Sequence, residues 1–381
     1  MDNNTFDFSN NIRVTKLDYS GNDERWILTT TKNKYVISDR IAKLIKYFIE
    51  SDDKHYCFNN MSEANQLLIK KLLNNNGTSR KSKKSGMWIK FTLLKQNQLN
   101  NTGRFSFMFT KKIVLFFTML ISLLFTYTLI FTNYTSYMNM SIANFDGINY
   151  VFTIIIVVLG ALFHELGHIT ASTLYGATPK GLGVGIYFIS PVVFVDVDDS
   201  WKLKKNQRTT VDIGGVYFQA VYASLLLLIF ICTKNTIFAL TYFLFMISII
   251  FNLNPFLKYD GYWFFSDLLG IYNLNTKFPI VIKAFLKFIF GRKDDFRKLQ
   301  QTWKNTVLIA ISIYGLISMI FYVYFSYQII KCMRLYIITT IYNFTILNFV
   351  LTIFFMFLGI KSVIALMYLV FQIFSLKNKA I

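Results

Sequence analysis

Two of the chain's three histidines flank a glutamate inside an apolar stretch, Val157-Val158-Leu159-Gly160-Ala161-Leu162-Phe163-His164-Glu165-Leu166-Gly167-His168. Four residues apart on a helix, His164 and His168 project from one face and can share a Zn²⁺, while Glu165 stands where a carboxylate can take a proton from an activated water. The alternative is a polar cluster that glues helices together. An ionisable group at membrane depth costs about 3 kcal/mol on insertion scales, so such groups usually face a cavity and serve a function. A catalytic zinc site takes three protein ligands and leaves one position open. A third ligand must therefore be sought downstream, and Asn254-Pro255-Phe256-Leu257-Lys258-Tyr259-Asp260-Gly261 offers the Asp260 carboxylate. Asn-Pro and Asp-Gly pairs equally favour a plain turn. His55, close to Asp52, Asp53 and Lys54, is expected to be an ordinary surface histidine. Cys57, Cys232 and Cys332 have no paired or metal-type spacing, which argues against a disulfide framework or a cysteine zinc knuckle.

The elements that must position these residues are membrane helices. Of 381 residues 54% are hydrophobic and 16% charged, against roughly 25% charged in an average soluble domain. The net charge of +20 lies mainly in a few segments between apolar runs, the pattern of juxtamembrane positive charge, and this argues against a nucleic-acid partner. Apolar stretches long enough for a bilayer of about 30 Å place spans at Ile113 to Thr132, Asn149 to Tyr175, Gly214 to Cys232, Thr236 to Leu253 and Thr306 to Ile330. The tail from Leu335 to Phe374 holds one long span or two short ones, with Lys361 in its middle. Arg104, Lys111 and Lys112 precede the first span and no Lys or Arg follows it before Asn149, so the amino terminus is expected on the cytoplasmic side. The second and fourth spans then both run inward and bring His168 and Asp260 to the same end. Lys331 and Arg334 fall on the wrong side of this arrangement, in what reads as a short hairpin between spans.

Residues 1 to about 80 are mixed and polar, with no apolar signal segment at the start. Ile12 to Tyr19 and Trp26 to Val36 read as two paired strands joined at Gly21-Asn22-Asp23. Ser38 suits a helix N-cap ahead of Ile41, Leu44, Ile45, Phe48 and Ile49 on one face, and a second helix from Ser62 would bury Ala64, Leu67, Leu68 and Leu72 before Asn74-Asn75-Asn76-Gly77. Thr78 to Lys84 is a basic linker, and Met87 to Leu94 reads as a short interfacial helix or strand. The expected fold is mainly α: a polytopic α-helical membrane protein of about six transmembrane helices, with a small α+β winged-helix-like amino-terminal domain. The segments are 1–80 for that domain, 81–112 for the linker and interfacial segment, 113–270 for the membrane core, and 271–381 for an amphipathic segment and the carboxy-terminal helices.

With both motifs in this order, the chain resembles the site-2 protease family of intramembrane metallopeptidases. That resemblance implies His164, His168 and Asp260 as zinc ligands, Glu165 as the catalytic base, and Asn254 and Pro255 as shapers of the ligand-bearing segment. Gly214-Gly215-Val216-Tyr217-Phe218-Gln219 stands where the family often has a Gly-Pro-x-x-Asn element. Gln219 replaces the Asn, which puts a substrate-binding role for it in doubt, and a glycine pair for tight helix packing accounts for the segment equally well. Gly181 to Asp199 alternates in a way that suits a β-hairpin lining the entrance, able to hold an extended substrate by its backbone.

The strand-then-helix order in front resembles the PqqD-type leader-recognition domain of ribosomal-peptide maturation enzymes, and the whole layout is similar to the peptide zinc metallopeptidases of bacteriocin-type gene clusters. The first expectation is thus a zinc metalloendopeptidase that removes a leader or matures a ribosomally made peptide, beside a peptide transporter. The second is a protease acting on a membrane-bound regulator or signal-peptide remnant. The third is a non-catalytic export or immunity component. All three lie in the cell membrane, with a peptide or membrane-protein substrate and the lipid bilayer as partners. Abundant Lys, Asn and Ile suit the AT-rich genome of a low-GC bacterium.

Overall fold

In the amino-terminal part, β-branched and aromatic residues at alternating positions build a sheet. A computed structural model of the chain describes residues 13–18, 25–29, 34–51, 54–67, 87–131, 147–187, 190–291 and 293–374. Strands β1 (Arg13–Leu17), β2 (Arg25–Thr29) and β3 (Lys34–Ser38) form an antiparallel sheet in that order, with Val14 opposite Leu28 and Trp26 opposite Ile37. Residues two apart share a face, so Leu28 and Ile37 meet Ala42 and Ile45 of helix α1 (Asp39–Glu50) in one buried cluster. The single strand expected over Trp26 to Val36 is instead two. By folding back, β2 pairs both of its edges, which an eleven-residue strand against the five of β1 could not do.

Ser38 occupies the N-cap of α1 but makes no capping bond, and Asp39 in the first turn accepts from Trp26 Nε1 at 3.0 Å. A short helix α2 (Lys54–Asn59), not foreseen, buries Cys57 and Phe58 against Phe48. The helix expected from Ser62 begins there, over residues 63–67, but its Ala64 and Leu67 are exposed rather than buried. The turn at Gly21-Asn22-Asp23, Leu68, Leu72, the stop at Asn74 to Gly77 and the linker Thr78 to Lys84 lie outside the described residues, as does the side chain of His55.

Of the interfacial helix or strand expected over Met87 to Leu94, the strand forms, and it pairs into a second sheet. β4 (Met87–Lys95) pairs antiparallel with β5 (Gly181–Tyr187), which pairs with β6 (Ser190–Val195). After β4, a turn of helix α3 (Gln96–Leu99) and a 3-10 stretch (Asn100–Phe109) bury Leu99 and Met108. Leu99 packs with Ile169 and Leu182, and Met108 with Phe218 and Val221. Helices α4 (Lys111–Phe131), α5 (Gly147–Leu174), α6 (Lys205–Thr233), α7 (Thr236–Asn252) and α8 (Asp260–Leu269) complete this part. Gly167 and Gly214 let α5 and α6 touch backbone to backbone, since a Cβ on Gly167 would overlap the Gly214 carbonyl. Outward positions of α5 such as Val151, Ile154, Ile155 and Val158 stay exposed and apolar, as a lipid-facing surface requires.

Two compact units divide the chain, the first running through Leu268 and the second from Leu269. The second holds α9 (Leu274–Ile289), α10 (Asp294–Thr302), α11 (Asn305–Tyr342) and α12 (Ile346–Phe374). Its core packs Phe278 and Ile282 of α9 against Tyr314 and Gly315 of α11, with Val281 also buried. The hairpin expected at Lys331 and Arg334 is absent, because α11 continues through both cations for 38 residues, about 57 Å at 1.5 Å per residue. A helix so much longer than the bilayer carries those charges along its shaft, with no reversal there. Lys361 does not divide the tail either: α12 is one helix, and the Lys361 ammonium lies over the Phe357 ring at 5.5 Å. Among the described residues four helices are long and apolar enough to cross a membrane, namely α5, α6, α11 and Asn348–Phe371 within α12, and α7 is a shorter apolar one. The protein is mainly α, with a small amino-terminal sheet.

Candidate metal centre

His164 and His168 lie one helical turn apart on α5, and their Nε2 atoms are 3.2 Å from each other. Asp260, first residue of α8, points its carboxylate at both. Its Oδ2 is 3.1 Å from His164 Nε2 and its Oδ1 3.5 Å from His168 Nε2. The histidine pattern is local, but Asp260 is brought in by its own segment. Asn254 Oδ1 accepts from the Phe256 and Leu257 amides at 2.8 and 3.2 Å, which folds the chain sharply before α8. Gly261 then passes so close to Leu253 that a Cβ would overlap its backbone. Pro255 sits inside that turn.

The donor set fits a zinc ion. Three ligand atoms from His164, His168 and Asp260 lie within 4.8 Å of one another. With metal–ligand bonds near 2.0–2.1 Å, the edge of a coordination tetrahedron is about 3.3 Å, close to the separations found. Asp260 Oδ2 is buried without a hydrogen-bond partner. It lies beside an imidazole nitrogen, yet no proton stands between them when that nitrogen keeps its lone pair free. Gly215 leaves the opposite wall bare: a Cβ there would overlap His168 Nε2 and stand 2.7 Å from His164 Nε2. Such a cradle of converging lone pairs has room for an ion where a side chain would otherwise be.

The far nitrogen of each imidazole is held by another helix. His168 Nδ1 faces the Val211 carbonyl of α6 at 2.8 Å. Only a protonated Nδ1 can donate to a carbonyl, and that leaves Nε2 as the ligand atom. His164 Nδ1 faces Gln219 Oε1 at 3.2 Å. Gln219, 3% exposed, is in turn fixed from α7, accepting from Asn252 Nδ2 at 3.0 Å and donating to Ser248 Oγ at 2.9 Å. Gln219 is therefore a neighbour of the candidate ligand His164, and its acceptor is already occupied.

Glu165 lies beside the two histidines, and the backbone of Val195 at the end of β6 is near enough to act on its carboxylate. The sheet thus runs up to the centre. Its last strand, β6, has one edge unpaired among the described residues, where Pro191 costs no ladder bond.

A second buried polar cluster adjoins the first. Arg208 Nε donates to Asp267 Oδ1 at 2.8 Å, and Asp212, whose Oδ2 is buried without a hydrogen-bond partner, lies beside Asp267. Burial pushes the Asp267 carboxyl up, against the pull of the Arg208 guanidinium. Sequence reading missed this group, along with Val211, Gly215, Ser248 and Asn252. One signal was available: Arg208 and Asp212 are four apart near the end of a helix that runs on into an apolar span.

The chain is similar to a Bacillus subtilis (strain 168) protein described as "Putative peptide zinc metalloprotease protein YydH", with 26% identity over 194 residues, 48% of this chain and 73% of the relative. No family model matches the chain. No solved structure matches it.

Proposed function

We propose that the protein is a membrane-embedded zinc metallopeptidase of the site-2 protease kind that hydrolyses a peptide bond, in the maturation or leader removal of a ribosomally made peptide. The observation that carries this reading is the meeting of His164, His168 and Asp260 with a carboxylate, Glu165, directly beside them. The similarity to a protein described as a peptide zinc metalloprotease supports it.

Zn²⁺ held by these three residues would supply Lewis acidity toward a peptide carbonyl and would make water a nucleophile at neutral pH. The rest belongs to the chain. Glu165 takes the proton of the attacking water and returns it to the departing amine nitrogen. The free edge of β6 offers backbone N–H and C=O groups to an extended peptide, and its end at Val195 adjoins Glu165, so a strand added there would pass the base. Val211 and Gln219 keep both imidazoles in the tautomer that binds metal. The amino-terminal sheet and helices serve to capture the leader, and a peptide transporter is the natural receiver of the product.

Glu165→Gln keeps the shape of the side chain and removes its basicity. The variant should hold zinc as the unaltered chain does and lose cleavage of a precursor peptide. Near-normal turnover would hand the proton transfer to another group.

A further inference from the structure

Arg208 is 3% exposed, and each of its three nitrogens has a partner. Nε donates to Asp267 Oδ1 at 2.8 Å, Nη1 to the Leu203 carbonyl at 2.9 Å and Nη2 to the Asp18 carbonyl at 3.2 Å. The Trp201 ring covers the guanidinium at 5.6 Å. These partners belong to different parts of the fold. Asp267 follows Asp260 by seven residues on α8, two turns along the same face. Arg208 itself precedes Val211, the residue whose carbonyl holds His168, by less than one turn. Asp18 stands just past β1 of the amino-terminal domain, and its Oδ2 accepts from the backbone N–H of Lys205, the first residue of α6, at 2.9 Å. The domain thus supplies from a distance the acceptor that a helix start needs.

We propose that Arg208 is a positioning residue of the metal centre, tying α8, α6 and the end of β1 together so that the seating of the amino-terminal domain sets the aim of Asp260. This rests on the zinc reading given above. A buried arginine–carboxylate pair is seldom kept for stability, since an apolar pair of the same volume does as well. What a planar, five-donor fork does and an apolar pair cannot is fix three acceptors at once. Asp267 has no freedom to rotate away from Arg208 without leaving a buried guanidinium without its counter-charge, so the axis of α8, and with it Asp260, follows the guanidinium. When the amino-terminal domain lifts, Arg208 loses its Asp18 acceptor and the first residue of α6 loses the acceptor for its N–H, leaving only the local Gln207 contact to Lys204 N–H, and both metal-bearing helices are loosened together.

The test uses the full chain in detergent micelles, loaded with Zn²⁺ and challenged with a chelator, reading the rate of zinc loss. Co²⁺ loaded in place of zinc reports ligand geometry through its visible absorption. Arg208→Met should raise the rate about 10- to 100-fold, the range for losing a group that orients a metal ligand, and shift the Co²⁺ bands while helical content stays the same. Asp18→Lys, at an exposed position, sets a cation beside Lys205 and Arg208 and should raise the same rate by about threefold or more with the metal ligands untouched. If Arg208→Met does not fold, Arg208→Lys takes its place: it keeps a charge for Asp267 but cannot reach Leu203 and Asp18 as well, and should also raise the rate by about threefold or more. A rate within about twofold of the unaltered chain, either in a folded Arg208 variant or in Asp18→Lys, overturns the inference. Failure of the unaltered chain to take up zinc overturns the metal reading itself, and the inference with it.

Discussion

Gln219→Leu removes a buried amide of nearly the same volume and strips three hydrogen bonds at once. His164 Nδ1 and Asn252 Nδ2 lose their acceptor, and Ser248 Oγ loses its donor. Gln219 is 3% exposed, so water does not replace the amide. Ser248 can turn its hydroxyl to its own helix, as serines in apolar helices do, which leaves two groups unsatisfied at about 1–3 kcal/mol each, or about 2–6 kcal/mol of stability. The effect on the metal is separate. Without an acceptor at Nδ1, the His164 ring is free to rotate and to shift its proton to Nε2, and loss of such an orienting partner weakens metal affinity about 10- to 100-fold, or about 1.4–2.7 kcal/mol. Chelator competition over a range of free zinc measures this directly. Gln219→Glu is the control: it keeps the acceptor and should bind zinc at least as tightly as the unaltered chain. A folded Gln219→Leu protein whose zinc Kd stays within about twofold of the original would refute the claim that Gln219 orients His164.

Gly215→Ala places a methyl against both ligand nitrogens and should lower zinc affinity by about tenfold or more while α5 and α6 still pack, which zinc titration with circular dichroism can check. His168→Ala should abolish stoichiometric zinc, and Asp260→Ala should weaken it, both readable by metal analysis of the purified protein; full zinc content in Asp260→Ala would demote that residue to a turn. Away from the membrane-spanning helices, burial works against the Asp199 carboxylate, but the Lys202 ammonium and the Thr178 N–H and hydroxyl outweigh it and hold its pKa below the usual range. A depressed folded-state pKa means that this clasp contributes stability above the unfolded value and loses it as pH falls through the folded one. Asp199→Asn should accordingly flatten the acid limb of a thermal-unfolding series, and an unchanged limb would show that the clasp contributes nothing.

What the amino-acid sequence determined was whatever depends on neighbours a few residues apart. His164, Glu165 and His168 follow from a four-residue helical spacing, the apolar spans from run length, and the sharp entry to Asp260 from Asn254, whose short side chain can only fold back on its own backbone. Run length misled at Lys331 and Arg334: ending a span at Ile330 made a hairpin of the two cations, whose charge already argued against it, and α11 in fact continues to Tyr342. The strand at Met87–Lys95 was ambiguous for a related reason: its partner lies more than eighty residues away in the hairpin. Only tertiary structure decided the surroundings of the candidate metal site. Nothing near Gln219 in the sequence shows that its amide serves His164 rather than a substrate, since Ser248 and Asn252 reach it from another helix. Gly215 reads as a packing glycine until two imidazoles are found against it. Arg208, Asp267 and Asp18 are separated by up to 249 positions, 267 less 18, and their common role exists only because a buried guanidinium must find acceptors wherever the fold brings them.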